Sequence, residues 1–121
     1  MQITPLKLLL GVALIAFASF AWLKQRETAR HDPRRSMGSN DIVMLSASWC
    51  GYCAKLRAGL ELAHVPFTEL DIEDSVEGER AYQAVGGHGV PITIIGKVVV
   101  RGYDADQLSE LISRRGYTVR L

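Results

Sequence analysis

The chain has 121 residues, which is enough for one domain and little more. Its formal net charge of +1 at pH 7, with 22% charged and 48% hydrophobic residues, is ordinary for a globular protein. This balance gives no overall field that would attract a nucleic acid, so we expect no nucleic-acid partner.

An apolar block without charged residues occupies positions 8–23. Extended back to Ile3, the block is long enough to cross a bilayer, with Lys7 reaching the interface and Trp22 acting as an interfacial anchor. We therefore expect residues 1–24 to be a membrane anchor. The alternative is a cleaved signal peptide, because the block also offers a short apolar core and small residues at two candidate cleavage sites.

Residues 25–40 form a polar, basic segment that includes Pro33 and Gly38, and its pattern is typical of a linker. Basic residues tend to stay on the cytoplasmic side of a membrane span. Only Lys7 and the α-amino group precede the apolar block, whereas five basic residues follow it: Lys24, Arg26, Arg30, Arg34 and Arg35. This asymmetry predicts a single-pass protein whose domain lies in the cytoplasm; the alternative is an exported, periplasmic domain.

Residues 41–121 alternate between strand and helix patterns. The apolar run 42–47 predicts a buried strand, and the stretch that begins at Cys50 and ends before Pro66 predicts a helix. A strand at 65–70, a helix opened by a capping box at 74–77, hairpin strands at 92–95 and 97–101, and a helix opened by a capping box at 104–107 follow. The order β-α-β-α-β-β-α predicts an α/β domain with a four-stranded mixed sheet covered by helices.

The two cysteines of the chain are Cys50 and Cys53. A bridge between them closes too small a loop to stabilise the fold much, so the pair indicates redox or metal chemistry. Structural zinc needs four ligands, and the chain has three histidines and no second Cys-x-x-Cys pair, so we expect no metal. A Cys-x-x-Cys pair at the first strand-to-helix junction is typical of thioredoxin-like redox proteins.

Three motifs of this domain are Trp49-Cys50-Gly51-Tyr52-Cys53, Gly89-Val90-Pro91 and Arg101-Gly102-Tyr103-Asp104. Together they resemble the glutaredoxin family over residues 42–112. This resemblance implies a thioredoxin-like fold and a monomer that reduces protein disulfides or protein–glutathione mixed disulfides, with glutathione as electron donor. Gly51 departs from the family, which usually has proline there, and Trp49 is more similar to thioredoxin.

The predicted helix gives the two cysteines different roles. Cys50 lies at the helix N-terminus, where unpaired backbone N–H groups and the helix dipole favour a thiolate, so Cys50 is the candidate nucleophile. Cys53 lies one turn further along the helix and is placed to attack Cys50 and release the substrate.

The resemblance also implies a binding site around the cysteines. Tyr52 is similar to the tyrosine that lines the family's glutathione groove. Pro91 is similar to the family's cis-proline, which turns the backbone of Val90 toward an extended substrate.

Further residues complete this predicted groove. Gly102, Tyr103 and Asp104 are similar to the turn that holds the γ-glutamyl end of glutathione; Asp104 alone also fits as a helix cap. Lys55 and Arg57 are candidates for steering an anionic tripeptide, although such residues are often only a solvated helix face.

The replacement of proline by Gly51 leaves one alternative function open. Some family members without this proline hold a [2Fe–2S] cluster between two subunits through the first cysteine and glutathione. Under this alternative the chain is a cluster carrier, and Cys50 is the metal ligand.

Overall fold

The computed structural model describes residues 2–121 and has the predicted element order after its N-terminal helix. Helix α1 is followed by a short 3-10 turn and then by strands and helices that alternate along the chain. The elements are α1 (Pro5–Arg30), the 3-10 turn (Pro33–Arg35), β1 (Ile42–Ser46), α2 (Gly51–Leu62), β2 (Thr68–Asp71), α3 (Val76–Ala84), β3 (Ile92–Ile95), β4 (Val98–Arg101) and α4 (Ala105–Ser113).

The four strands form one mixed sheet in the order β2-β1-β3-β4. Strands β1 and β2 are parallel, and β3 is antiparallel to both β1 and β4. The predicted α/β fold with a four-stranded mixed sheet is therefore confirmed. Because β1 and β2 are parallel, their carboxyl ends lie at the same edge of the sheet, and both the disulfide-bearing helix and the β2–α3 loop start there.

Each face of the sheet carries its own hydrophobic core, because successive side chains of a strand point to opposite faces. On one face, Met44 and Val100 pack with Leu56 and Leu60 of α2 and with Leu108 of α4. On the other face, Leu45 and Ile94 pack with Ala81 and Val85 of α3. The cores fix α2 and α4 on one side of the sheet and α3 on the other.

Helix α1 has no buried residues, and within the described chain it is long and apolar enough to cross a membrane. At 26 residues it is about 39 Å long. The helix continues to Arg30, well into the segment predicted as a linker. The reason is local: residues 24–30 include Lys, Gln, Arg, Glu and Ala, which are good helix formers, and Pro33 stops the helix soon afterwards.

The rest of that segment also packs against the domain. Met37 packs on the core beneath α3. Arg115 donates hydrogen bonds to the carbonyl oxygen of Ser39, at 2.7 Å for the nearer nitrogen, and Lys97 donates one to the carbonyl oxygen of Arg34. The connection between α1 and β1 is therefore a structured segment attached to the domain.

Strand β1 ends at Ser46 and β4 begins at Val98, each one residue inside the predicted bounds. Two further boundaries differ for a local reason. Strand β2 begins at Thr68, because Val65 is used in the core and Pro66 has no N–H for a ladder. Helix α3 is capped by Ser75, whose hydroxyl accepts the N–H of Gly78 at 3.0 Å, one residue later than the predicted capping box.

Candidate active site

The two cysteines form a disulfide at the start of α2. Cys50 is the N-cap residue of this helix, and its sulfur accepts the backbone N–H of Cys53 at 3.1 Å. The side chain of Cys50 is at the surface side of the pair, with 8% of the residue exposed, whereas Cys53 is completely buried. The sulfur at the helix N-terminus is thus the one a substrate reaches first.

Val90 lies close to this disulfide. Val90 packs against the small cluster formed by Ala47, Cys50 and Cys53, and the Val90–Pro91 peptide bond is cis. Within residues 2–121, neither the N–H nor the C=O of Val90 makes a hydrogen bond. The carbonyl oxygen of Pro91 accepts the N–H of Gly102 at 2.8 Å. This bond places the loop before β3 beside the turn that follows β4.

The second predicted group, Tyr52, Gly102, Tyr103 and Asp104, is also brought together. The rings of Tyr52 and Tyr103 are 5.3 Å apart between centroids, and the ammonium group of Lys55 lies 4.9 Å from the Tyr103 ring centroid. Gly102 has a φ of +78°, a value that favours glycine, and it turns the chain into α4. Tyr52 and Lys55 on α2 and Tyr103 before α4 thus form one aromatic and cationic surface, the aromatic wall.

Asp104 is the N-cap of α4, and its carboxylate accepts the N–H of Gln107 at 3.1 Å. The predicted capping role is therefore confirmed. The residue is exposed, so its second carboxylate oxygen faces solvent beside the aromatic wall.

Trp49 directly precedes Cys50 in the chain. Its indole is 69% exposed, and its N–H donates a hydrogen bond to the carboxylate of Glu73 in the β2–α3 loop. That loop is held by Asp71, whose carboxylate accepts the N–H groups of Asp74 and Glu73 at 2.9 and 2.8 Å. These two hydrogen bonds, first that of Asp74, lower the pKa of the Asp71 carboxyl.

Sequence analysis missed a charged network beneath α2. Arg57 is paired with Glu69 of β2, with its Nε 2.7 Å from the carboxylate, and the buried hydroxyl of Ser46 donates to the same carboxylate at 2.7 Å. The hydrogen bond from Arg57 lowers the pKa of the Glu69 carboxyl, helped by Ser46 and opposed by burial. Arg57 is therefore engaged in this pair, in contrast to the free steering cation that its helix position suggested.

Comparison with known proteins shows what the domain is similar to. Residues 42–100 match the sequence model of the glutaredoxin family. A comparison with curated protein sequences gave no match. The match to the family model covers β1 to β4, including the disulfide and the Val90–Pro91 bond.

The fold is similar to that of several solved structures. A buckwheat glutaredoxin–glutathione complex has 19% identity and a TM-score of 0.58, covering 77% of this chain and 94% of its own. The glutaredoxin-like NrdH-redoxin of Escherichia coli has 21% identity and a TM-score of 0.53, covering 59% of this chain and 93% of its own. A glutaredoxin of Archaeoglobus fulgidus has 27% identity and a TM-score of 0.53, covering 62% of this chain and 88% of its own.

The family match and the fold agree with the chemistry of the site. A Cys-x-x-Cys disulfide at a helix N-terminus is the oxidised form of a redox-active dithiol. Residues 42–100 therefore carry a glutaredoxin-like domain, and this domain is a thiol–disulfide oxidoreductase.

Proposed function

We propose that this chain is a membrane-anchored glutaredoxin-like reductase of protein disulfides and protein–glutathione mixed disulfides, with glutathione as its electron donor. One observation carries the proposal: a cysteine at the helix N-terminus is paired with a fully buried cysteine one turn later. This asymmetry suits a nucleophile that meets the substrate and a second thiol that resolves the product.

In the proposed cycle the reduced protein attacks first with Cys50. Its thiolate bonds to one sulfur of the substrate disulfide, and the other sulfur leaves with the electron pair as a thiolate. Cys53 then loses its proton and attacks the sulfur of Cys50, which releases the second substrate sulfur. The substrate gains two electrons, and the protein ends as the Cys50–Cys53 disulfide.

Two glutathione molecules regenerate the dithiol. The first thiolate attacks Cys50 and forms a mixed disulfide, which frees Cys53. The second attacks the glutathione sulfur of that mixed disulfide and frees Cys50 as a thiolate. The products are the reduced protein and one glutathione disulfide, so the electrons balance without a metal or other cofactor.

The start of α2 supports the role of Cys50 as nucleophile. Its sulfur accepts the N–H of Cys53, and the N-terminal N–H groups of a helix favour negative charge at this position. Thiolates in such positions have a pKa below the ordinary value of a cysteine, about 8.5. The position of Cys50 therefore favours the thiolate once the disulfide is reduced.

Val90 is the proposed docking point for the polypeptide of the substrate. Its backbone N–H and C=O have no hydrogen-bond partner within the described residues, and its side chain packs against the cysteines. An extended segment around the substrate cysteine would pair with these groups as a short added strand. Pro91 supports this position through its own bond to Gly102.

The proposed glutathione groove lies along Tyr52, Tyr103 and the start of α4. The tyrosine rings provide an apolar wall beside Cys50. The exposed carboxylate of Asp104 suits the ammonium group of the γ-glutamyl end, and the N-terminal N–H groups of α4 after Gly102 suit its carboxylate.

Helix α1 is the proposed membrane anchor, and we propose that the domain lies in the cytoplasm as a monomer. The charge asymmetry around the apolar block supports this orientation, as does the need for a reduced glutathione pool. Fusions of a fluorescent protein and of a periplasmic phosphatase to the C-terminus test it. Bright fluorescence with low phosphatase activity is expected; the opposite pattern would place the domain outside.

Single-cysteine variants test the proposed mechanism. Cys50→Ser should abolish reduction of both substrate classes. Cys53→Ser should lose reduction of protein disulfides but keep part of the deglutathionylation activity, which needs only the first cysteine. Both activities are measured with purified full-length protein, glutathione and glutathione reductase, and equal residual activity in the two variants would contradict the assignment.

The iron–sulfur alternative stays a prediction with its own test. Cys50 is in a disulfide in this structure, so its sulfur becomes available as a ligand only after reduction. Absorbance in the visible region of protein purified anaerobically with glutathione would identify a cluster carrier. A colourless protein with full reductase activity is expected from the proposed function.

A further inference from the structure

The Ser46–Glu69–Arg57 network lies on the same side of the sheet as α2. Parallel pairing of β1 with β2 aligns Glu69 with Met44 on this face, next to Ser46. Arg57 reaches down from α2 and holds the carboxylate with two nitrogens, while Ser46 donates from below. The side chains of Arg57 and Glu69 are only 34% and 25% exposed, so water screens this pair less than a fully exposed one.

This network is close to the disulfide along the helix. Arg57 follows Cys53 by four residues, which places both on one face of α2 with their Cβ atoms about 5–6 Å apart. Cys50 lies two turns from Arg57 on the same face, about 10 Å along the axis. On the sheet side, Ser46 is followed directly by Ala47, which packs against both cysteines.

Charge at this distance acts differently on the two redox states. The disulfide is neutral, whereas the reduced pair carries a thiolate. A nearby positive charge therefore stabilises the reduced pair, and a nearby negative charge destabilises it. Arg57 and Glu69 have opposite effects, and the close contact between them makes the effects nearly cancel.

We propose that Glu69 is a positioning residue that acts through Arg57 and keeps it from shifting the equilibrium between the Cys50–Cys53 disulfide and its dithiol toward the dithiol. Glu69 holds the guanidinium against the sheet and compensates its charge. The reduced form then gains less from Arg57 than it would from a free arginine. This proposal deepens the proposed function, because the equilibrium decides how readily the dithiol donates electrons.

Other charged or titratable groups surround the disulfide, and the test leaves all of them unchanged. Lys55 is over the Tyr103 ring, and Glu73 accepts a hydrogen bond from the indole of Trp49. The groups on the neighbouring elements are Lys55, Asp71, Glu73, His88, Tyr103 and Asp104.

The test measures the disulfide–dithiol equilibrium of full-length protein in glutathione redox buffers near neutral pH. The thiols are trapped by acid and alkylation and counted by mass spectrometry. Glu69→Gln should raise the equilibrium constant for reduction about two- to fifteenfold, the range for a charge roughly 10 Å away between the dielectric of bulk water and that near a protein surface. Arg57→Gln should lower it by a similar factor, and the double variant should return close to wild type.

Two controls separate this electrostatic role from a structural one. Arg57→Lys keeps the charge and should retain most of the wild-type equilibrium. Arg114→Gln and Glu110→Gln remove an exposed ion pair on α4 and should leave it unchanged. Shifts of Arg57→Gln and Glu69→Gln in the same direction, or no shift in either, would overturn the proposal.

The measurement also distinguishes this proposal from the proposed function. It uses only glutathione as a redox buffer and reads the protein's own sulfurs, so it does not depend on which disulfide is the natural substrate. If Glu69→Gln and Arg57→Gln shift the equilibrium in opposite directions but wild type has no reductase activity, the ion-pair proposal is upheld and the proposed function is refuted. If wild type is active and neither variant shifts the equilibrium, the ion-pair proposal is refuted and the proposed function is upheld.

Discussion

Asp104 caps α4 and is proposed to bind glutathione, and one pair of substitutions separates these two roles. Its carboxylate caps α4 by accepting the N–H of Gln107, and its free oxygen is proposed to bind the ammonium group of glutathione. Asp104→Ala removes both interactions. Asp104→Ser keeps a side-chain oxygen that can cap the helix but removes the negative charge.

The size of each effect follows from the geometry. Loss of an N-cap costs about 0.5–2 kcal/mol, and about 1 kcal/mol is expected at this exposed helix end, which corresponds to a fall in Tm of about 4–8 °C for a domain of this size. Loss of a charge-assisted hydrogen bond costs about 1.5 kcal/mol at an exposed site, or roughly tenfold in KM for glutathione. The alanine variant should show both effects and the serine variant chiefly the second.

Thermal unfolding followed by circular dichroism gives the Tm values, and initial rates at varied glutathione concentration give KM and kcat. Asp106→Ala is the matched control, because it removes an exposed carboxylate from the same first turn without removing the cap. It should leave KM unchanged. A wild-type KM in Asp104→Ser would refute the ligand role and leave Asp104 as a cap alone.

Three further predictions concern the packing around the site. The pKa of Glu69 is lowered in the folded protein, so its ionised form stabilises the fold above the unfolded-state pKa of about 4.3, and this stability is lost as pH falls through the folded value. The free energy of unfolding should therefore fall more steeply below about pH 5 in wild type than in Glu69→Gln. Parallel curves for the two proteins would contradict this. Gly78→Ala would place a Cβ 2.0 Å from the carbonyl oxygen of Asp71, so urea unfolding should show a loss of about 1–3 kcal/mol, and an unchanged midpoint would contradict the contact. Leu56→Ala should cost about 2–5 kcal/mol in the same assay, whereas the exposed Leu62→Ala should stay within about 0.5 kcal/mol; equal losses would contradict the core assignment.

Local patterns in the sequence were sufficient to predict the fold. The buried strand 42–46 is a continuous apolar run, and α2, α3 and α4 each begin at a residue with a suitable cap: Cys50, Ser75 and Asp104. These features depend on a few neighbouring residues, so they can be recognised without tertiary information. Because the first strand and the helix after it could be recognised in this way, the cysteine pair could be placed at the junction between them.

The charged network beneath α2 depends on tertiary structure and could not be predicted in the same way. A lone arginine on a helix is usually solvated, and only the alignment of β2 beside β1 brings Glu69 under Arg57 and next to Ser46. The sequence contained one indication of this network. Glu69 and Leu70 are neighbours in a strand, so their side chains point to opposite faces of the sheet, and one face must be buried. An acidic residue on the covered face of a strand needs a partner, and a basic residue on the helix above it is the first place to look.

The direction of β1 relates the proposed anchor to the active site. The segment after α1 packs at the amino end of this strand, where Ile42 begins, and the disulfide lies just beyond the carboxyl end at Ser46. Five residues of strand separate the two ends by about 16 Å. Residues 31–41 are attached to the domain by Met37, Ser39 and Arg34. A chain anchored through α1 would therefore hold its disulfide at the end of β1 that is away from this attachment.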